Sequence, residues 1–442
     1  MGLLRVLATG ALLAGVALVQ PAAAQTNVTF WQFFTGDTDV KAWRDTIAKF
    51  EAANPDIKIN MELVPWSEQQ QRFVTALATG GLPDISMLGN NVVAQFQATG
   101  SLAPLDDYVA DTNRTDPAWD FADFYPSLIE VNRWDGTPGA GVGKGKLWAL
   151  PVNEEGYALF YRKDIFDAQG IAVPTTYDEL LATAEKLHGT EFEGQKISGF
   201  VARGDRTWPT MTTGYGTVFW SYGAEVMDPE SWKSTVNSDA GVAATEYWGK
   251  LMKFAPDGVT GFTWYEAMQA FMSGTVAMFI DADHMSGSFE DPAQSKVAGK
   301  VGYAIPPKGP AGVKTNIWIW SLGLASKAKE KDAAWLFMQW ATSADVLKTS
   351  TVKNNINPTR RSVATSPEVL KYMEGWGDYS KVYQDLIENY SRVRVPALSE
   401  FSQIGDLWAQ SVQEVVLGQK DAKTAMDQAA AAMDKVLATI AH

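Results

Sequence analysis

The chain has 442 residues, of which 46% are hydrophobic and 20% are charged, so it is long enough for two or three globular domains. Its mean hydropathy of −0.14 excludes a protein with many membrane spans. The formal net charge of −14 argues against nucleic acid as the main partner, since an acidic surface repels phosphate. With no cysteine and only 3 histidines, disulfides and thiolate metal sites are excluded and a zinc hydrolase is disfavoured. We therefore expect no metal and no cofactor.

Residues 1–24 have the pattern of a secretory signal peptide. Arg5 is the only charge, residues 6–19 form an apolar stretch, and three alanines ending at Ala24 supply a cleavage site. The apolar stretch is too short to span a bilayer comfortably. We expect cleavage after Ala24 and, because no cysteine can carry a lipid, an unlipidated periplasmic protein. An uncleaved anchor helix is the alternative.

The first part of the mature chain alternates strands and helices. Strand patterns cover residues 28–31, 57–63 and 84–88, and helical spacing covers residues 40–53 and 67–78. This order predicts a mostly parallel sheet covered by helices. Ligands of such sheets bind at the carboxyl ends of the strands, which are residues 32–35, 65–68 and 89–91.

The rest of the chain is less regular. The glycine-rich residues 136–145 match neither phosphate-loop pattern and predict a flexible surface hairpin. Further strands are predicted at 157–161, 301–305 and 318–325, and helices at 164–170, 176–188 and 331–342. Residues 198–289 and the alanine-rich tail 402–440 read as largely helical. Because no linker is present, we expect lobes that are joined by several chain crossings.

Six short segments occur along the chain in a characteristic order. They are Gly-Leu-Pro-Asp-Ile at 81–85, residues 150–152 with 159–166, residues 271–278, residues 322–330 with 333–335, Asn-Pro-Thr-Arg at 357–360, and residues 416–420. Together they resemble the extracellular solute-binding proteins of ABC sugar importers, the family that includes maltose-binding protein. Each segment alone is weak, but the ordered set spans the mature chain. It is specific for the family and not for a sugar.

The resemblance implies an α/β fold with two lobes, three chain crossings at a hinge and a ligand cleft between the lobes. The first lobe would hold residues 25–151 plus about 321–351, and the second about 152–320 plus 354–442. It also implies a monomeric binding protein without catalytic activity, which closes on a carbohydrate and delivers it to a membrane permease.

A sugar site needs aromatic side chains for the C–H faces and carboxylate, amide or guanidinium groups for the hydroxyls. By the resemblance, Glu155 stands where relatives have a carboxylate after the first hinge strand. Asn91, next to Asn90, stands where maltose-binding members have an aspartate. His284, preceded by Asp281, replaces a stacking tryptophan, which argues against a maltodextrin.

Two further positions follow from the resemblance. Trp208 lies in a segment similar to one that reaches the cleft, and Arg394 falls near a cleft arginine of the glycerol-phosphate-binding relatives. Trp318 and Trp320 point the same way in a predicted strand, and we expect Trp318 in the cleft. The strand-end argument alone adds Gln32, Phe33, Ser67 and Glu68.

Each candidate has a simpler alternative. Glu155 and Arg394 can form ordinary salt bridges, the asparagines can serve turns, and Trp318 can pack in the core. Two other functions also remain open. One is binding of a polyol or of a sulfonated or phosphorylated glycerol glycoside. The other is a secreted glycosidase, which is less favoured because adjacent Glu154 and Glu155 cannot form a catalytic carboxylate pair.

Overall fold

The computed structural model describes residues 25–140, 142–354 and 356–440. The predicted signal peptide therefore lies outside the described residues. The chain begins with the predicted alternation of strands and helices: β1 (Thr26–Gln32), α1 (Asp37–Ala53), β2 (Ile57–Leu63), α2 (Trp66–Thr79), β3 (Ile85–Gly89) and α3 (Asn90–Ala98). Helix α2 ends at Gly80, whose φ of 69° is a left-handed conformation that glycine adopts without strain. Strand β1 pairs in parallel with β2 and β3, as predicted.

The chain then crosses to a second body of structure. The first body continues with α4 (Asp106–Ala110), α5 (Pro126–Val131), β4 (Arg133–Trp134) and β5 (Lys146–Leu147). The long strand β6 (Ala149–Arg162) then makes the crossing. Strands β4 and β5 are antiparallel and enclose the glycine-rich residues, which confirms the predicted hairpin. Strand β6 has 14 residues because it serves both bodies: its start pairs in the first and its end in the second.

The second body contains most of the remaining elements. They are α6 (Lys163–Gln169), α7 (Tyr177–Leu187), β7 (Glu191–Phe192), β8 (Gln195–Lys196), α8 (Trp208–Met211), α9 (Gly214–Ser221), β9 (Met227–Asp228), β10 (Lys233–Ser234), α10 (Asp239–Leu251), α11 (Trp264–Met272), β11 (Met278–Ala282), α12 (Ser286–Phe289) and β12 (Val301–Ala304). The prediction of a largely helical segment at 198–289 missed β11. All five residues of β11 are buried, so the strand lacks the alternation of polar and apolar residues that marks a half-exposed strand.

Strand β13 (Ile317–Leu324) brings the chain back to the first body. It is followed by α13 (Lys331–Ala341), α14 (Ala344–Asn354), α15 (Arg361–Ala364), α16 (Pro367–Tyr372), α17 (Tyr379–Asp385), α18 (Phe401–Val416) and α19 (Ala422–Leu437). Helices α15 and α16 pack on α14, and α14 packs on α1. Helix α18 packs on α8, α10 and α19.

One sheet runs through both bodies, in the order β11-β6-β13-β3-β1-β2, with β12 also beside β6. Only β1, β2 and β3 are parallel, and the pairs made by β6 and β13 are antiparallel. The expectation of a mostly parallel sheet is therefore correct for the first three strands and wrong for the whole. The physical reason is that β6 and β13 are connections that run in opposite directions between two lobes.

Aromatic side chains fill the cores on both sides of this connection. In the first lobe Phe30 and Phe50 both contact Phe337 of α13, with ring centroids 6.0 and 5.1 Å apart. In the second lobe Phe160 of β6 packs edge-on against Phe289, at 5.0 Å. Burial of one such side chain stabilises the fold by about 1.5–3 kcal/mol, and the buried residues of both lobes form one continuous hydrophobic cluster.

Candidate functional site

A row of five aromatic side chains crosses from one lobe to the other, and we name it the aromatic row. It consists of Phe34, Trp320, Trp318, Trp208 and Phe401. Successive ring centroids are 4.9, 5.9, 5.8 and 5.0 Å apart. Phe34 follows β1 in the first lobe, the next two rings lie on β13, and Trp208 and Phe401 begin α8 and α18 in the second lobe. The row thus runs through the contact between the two lobes, and four of its five rings are at most 7% exposed.

Strand β13 holds the centre of this row. Trp318 and Trp320 lie on one face of the strand, as their spacing predicts, and they are only 7% and 5% exposed. The amide of Asn90 donates to the carbonyl of Ile317 and accepts from the backbone N–H of Ile319, at 3.3 and 3.2 Å. Asn90 therefore supports the strand that carries the indoles. These two hydrogen bonds engage the side chain that was predicted to bind the ligand.

Glu155 is fixed against the aromatic row. It pairs with Trp318 in the register of β6 and β13, and its Oε1 accepts a hydrogen bond from Nε1 of Trp320 at 3.0 Å. The side chain is half-buried, and one oxygen is held by a neutral donor. A carboxylate in this position accepts hydrogen bonds from hydroxyl groups. The structure places the predicted Glu155 beside the predicted Trp318.

The sequence analysis missed Arg203, a charged residue close to Glu155. Its Nε lies 3.0 and 2.9 Å from the two carboxylate oxygens of Asp281, and its Nη2 lies 2.5 Å from Oδ1. Asp281 is fully buried, so this forked ion pair is shielded from water. Burial lowers the pKa of Arg203, but the charge of Asp281, its hydrogen bonds, and the nearby Tyr157 and Glu155 together raise that pKa. The predicted site residue Asp281 therefore holds Arg203 and is not itself available to a ligand.

Two further residues, one from each lobe, lie close enough to interact electrostatically. Asp39 lies in the first turn of α1, and His284 follows β11 in the second lobe. Burial raises the pKa of Asp39, and the nearby charge of His284 opposes that rise. Asp39 also lines a small cavity with Phe34 and Val152, beside the first crossing strand. The predicted His284 therefore lies near a carboxylate that the sequence analysis did not select, and its role in ligand binding stays a prediction.

A buried polar cluster lies behind the row, where the chain passes between the lobes. The Nδ2 of Asn357 donates to Oε1 of Glu154 at 2.8 Å and to Oδ1 of Asp283 at 2.7 Å. Its Oδ1 accepts from the hydroxyl of Tyr379 at 2.9 Å. The backbone N–H of Asn357 donates to Oδ1 of Asn153 on β6 at 3.1 Å. This hinge cluster ties β6 to the segment that follows α14.

The two carboxyl groups of the hinge cluster are fully buried. The other oxygens, Oε2 of Glu154 and Oδ2 of Asp283, have no hydrogen-bond partner among the described residues. Burial first, and then the charge of Glu155, raise the pKa of Glu154 to about 8. Burial and the charge of Glu154 raise the pKa of Asp283 as well. The cluster therefore retains protons that exposed carboxylates lose.

Several predicted site residues lie elsewhere. Phe33 is buried in the first-lobe core against Phe73, with centroids 5.1 Å apart, and its neighbour Phe34 reaches the cleft instead. The side chain of Glu68 is exposed in the first turn of α2. The Nε of Arg394 donates to the carbonyl of Thr315 at 2.9 Å, so the guanidinium supports a loop. A strand end does not by itself set which way the side chains of Phe33 and Glu68 point, and the ligand-binding roles of all three residues stay predictions.

The remaining predicted residues divide into two groups. Gln32 is fully buried at the end of β1, and both polar atoms of its side chain lack a partner among the described residues. It stays a candidate because an unpaired buried amide costs free energy that a ligand or water can recover. The side chains of Ser67 and Asn91 lie outside the described part of the structure.

Comparison with known proteins defines the class. The chain matches the family model for bacterial extracellular solute-binding proteins over residues 35–348. It is 28% identical over 372 residues to the erythritol/L-threitol-binding protein of Mycolicibacterium smegmatis, covering 82% of this chain and 76% of the relative. It is 30% identical over 340 residues to the mannitol-binding protein of Pseudomonas aeruginosa, covering 75% and 73%. The chain therefore belongs to the bacterial extracellular solute-binding protein family.

A solved structure agrees with this assignment. The solute-binding protein of Agrobacterium vitis S4, with bound D-mannitol, is 26% identical and superimposes with a TM-score of 0.77, over 93% of this chain and 98% of that one. The resemblance and the two-lobed α/β fold are confirmed. As a member of this family the protein is periplasmic, and it binds a solute without transforming it. Within the described ranges, the structure contains no helix of the length and apolar character needed to cross a membrane.

Proposed function

We propose that this protein is the binding component of an ABC importer and that it captures a small polyol or a single sugar between its lobes. One observation carries the proposal: the carboxylate of Glu155 accepts a hydrogen bond from Trp320 of the aromatic row and lies close enough to Arg203 to act on its charge. Indole faces accept the C–H groups of such a ligand, and the two charged groups recognise its hydroxyls. Closure then removes water from these hydrogen bonds.

The relatives support a polyol. Two of them are named for erythritol, L-threitol and mannitol, and the similar solved structure holds D-mannitol. The positive charge of Arg203 is neutralised by Asp281, and Nε of Arg394 is held by a backbone carbonyl. Arg203 therefore does not offer the uncompensated charge that a sulfonated or phosphorylated glycoside requires, and a neutral ligand fits beside it better.

The division of the chain follows from the packing. We assign to the first lobe residues 25–151 and about 321–351, and to the second lobe about 152–320 and the chain from α17 onward. Because α15 and α16 pack on α14, residues 361–372 are assigned to the first lobe, and the third crossing falls between α16 and α17. Closure is then a rotation about β6, β13 and the hinge cluster.

The mature protein and its partners are also part of the proposal. We expect cleavage after Ala24, no lipid anchor, and a monomer whose two lobes contact the permease subunits in the inner membrane. Nucleic acid is not expected as a partner, because the net charge is −14.

A ligand panel tests the proposed function. The mature protein is unfolded and refolded to remove carried-over ligand, and its melting temperature is measured with erythritol, ribitol, mannitol, monosaccharides, maltose and a glycerol phosphate glycoside. A ligand at a thousandfold excess over its Kd stabilises the folded state by about 4 kcal/mol, which raises the melting temperature by several degrees. Silence with every neutral ligand and a shift with the anionic one would overturn the proposal.

A matched pair of variants then locates the site. Trp320→Phe removes the indole N–H that holds Glu155. We expect it to lower the affinity for the ligand that stabilised the wild type by at least tenfold, as measured by calorimetry. Trp264→Phe is the control, since Trp264 is 48% exposed at the start of α11. Equal affinities of the two variants would show that the aromatic row is not the site.

A further inference from the structure

The glycine-rich hairpin of the first lobe touches the second lobe at the end of the aromatic row. We name its residues 134–140 the strap. The backbone N–H of Gly139 donates to the carbonyl of Ala397 at 2.9 Å. Ala397 lies just before α18, which packs on α8, α10 and α19 of the second lobe. The strap therefore makes a direct backbone hydrogen bond between the lobes.

The strap is held in shape by Trp134, which is 5% exposed. Its indole N–H donates to the carbonyls of Thr137 and Ala140, at 2.9 and 2.6 Å. Gly139 has φ of 73°, and a Cβ at this position would lie 3.3 Å from Cε of Met227. Met227 belongs to β9 of the second lobe, so the backbone of the strap fits closely against the opposite lobe.

The space behind the strap is too small for a sugar. A cavity of about 30 Å³ lies between the lobes, lined by Val93 and Trp134 on one side and by Val395 and Phe401 on the other. This volume admits one or two water molecules but no sugar ring. Phe401 is the last ring of the aromatic row, so a ligand that lies along the row ends there. Any longer ligand would have to displace the strap.

From these contacts we infer that the strap determines ligand length and slows ligand release: it closes one end of the cleft and admits a short polyol or single sugar ring but not an oligosaccharide. The inference rests on the proposed function for its ligands. The lobe-to-lobe contact, in contrast, is independent of the ligand and can be measured without one.

Two glycine substitutions test the contact. Gly139→Ala introduces a methyl group against Met227 and disturbs the hydrogen bond to Ala397. Gly143→Ala is the matched control, because Gly143 has a similar φ of 86° in the same hairpin but its Cβ would meet only side-chain carbons of Glu130, at 3.9 and 4.0 Å. Met227→Ala weakens the contact from the second lobe without changing the strap.

The first measurement is the radius of gyration without ligand, by small-angle X-ray scattering. Gly139→Ala and Met227→Ala are expected to increase it and Gly143→Ala to leave it unchanged. The second is the ligand dissociation rate, by stopped-flow tryptophan fluorescence with mannitol, erythritol or whichever panel ligand shifts the wild type. Loss of one net hydrogen bond corresponds to an increase of about fivefold to tenfold for Gly139→Ala and none for Gly143→Ala.

The third measurement is ligand length. The wild type is expected to bind the short ligand and not maltotriose. Trp134→Ala removes the ring that holds the strap, and it is expected to raise the ratio of the affinity for maltotriose to that for the short ligand at least threefold. Binding of maltotriose by the wild type as tightly as the short ligand would overturn the inference, and so would equal radii and rates for the two glycine variants. Failure of the proposed function looks different: no panel ligand binds, while the scattering still reports whether the strap joins the lobes.

Discussion

The hinge cluster predicts how stability depends on pH. Glu154 and Asp283 are fully buried around Asn357, and the charged groups nearest to them are carboxylates. Glu155 and Tyr157 lie on β6 with Glu154, and the facing side chains from other elements are the phenols of Tyr125, Tyr379 and Tyr383. Because Glu154 is fully buried and the charge of Glu155 is nearby, the pKa of Glu154 rises to about 8, far above that of an exposed glutamate.

The sign of the effect follows from linkage. Because the folded-state pKa of Glu154 is raised, its proton stabilises the folded protein fully below the unfolded-state pKa, about 4.3. This contribution is lost as pH rises toward the folded-state value of about 8. One proton gives a slope of about 1.4 kcal/mol per pH unit, so the loss approaches 5 kcal/mol at most.

Substitution of Glu154 by glutamine isolates this group. The amide keeps an oxygen for Asn357 but does not titrate, so Glu154→Gln should lose less stability than the wild type between pH 5 and 8. The free energy of unfolding is measured by urea denaturation at four pH values, and Glu68→Gln, which alters an exposed carboxylate on α2, serves as the control. If the difference in stability between wild type and Glu154→Gln does not change across this window, the reasoning from burial is refuted.

Four further substitutions separate residues that support the fold from residues that bind the ligand. Phe33→Ala should lower the unfolding free energy by about 3–5 kcal/mol and leave the ligand Kd unchanged, whereas Phe34→Ala should raise the Kd and lower the unfolding free energy less. Denaturation measures the stability and calorimetry measures the Kd. The reverse pattern would contradict the placement of these rings. Asn90→Ala removes two hydrogen bonds to β13 and should lower the unfolding free energy by about 1–3 kcal/mol; an unchanged denaturation midpoint would count against its supporting role. Asp281→Ala leaves the charge of Arg203 buried without its partner and should destabilise the protein by about 3–5 kcal/mol, and a variant as stable as the wild type would show that the pair is not buried in solution.

The cleft combines groups with different physical roles. Glu155 is held by Trp320, and Arg203 is held by Asp281, so both charged groups are oriented before a ligand arrives. Orientation of this kind reduces the entropy lost on binding. The hinge cluster lies directly behind them, where its protonation influences the same crossing strands. We therefore expect ligand affinity and lobe stability to depend on neighbouring residues of β6.

Local patterns in the sequence determined the framework of the protein. The spacing of apolar residues located β1 to β3 and α1 to α2. Backbone geometry fixes the helix and strand periods, so apolar residues that recur with one of these periods mark the element and its buried side. The same argument placed Trp318 and Trp320 on one face of β13. The ordered family segments located Glu155 on the first crossing strand, and the structure puts it beside both indoles.

Only the tertiary structure decided which groups meet. The antiparallel order of β6 and β13 depends on a second lobe far along the chain, and the partnership of Arg203 and Asp281 joins residues 78 positions apart. Which of Phe33 and Phe34 packs in the first-lobe core depends on how β1 ends against α2. The burial of Glu154 depends on Asn357, some 200 residues later in the chain. These contacts arise from burial and electrostatics between distant segments, whereas periodicity reports only the face that each segment buries.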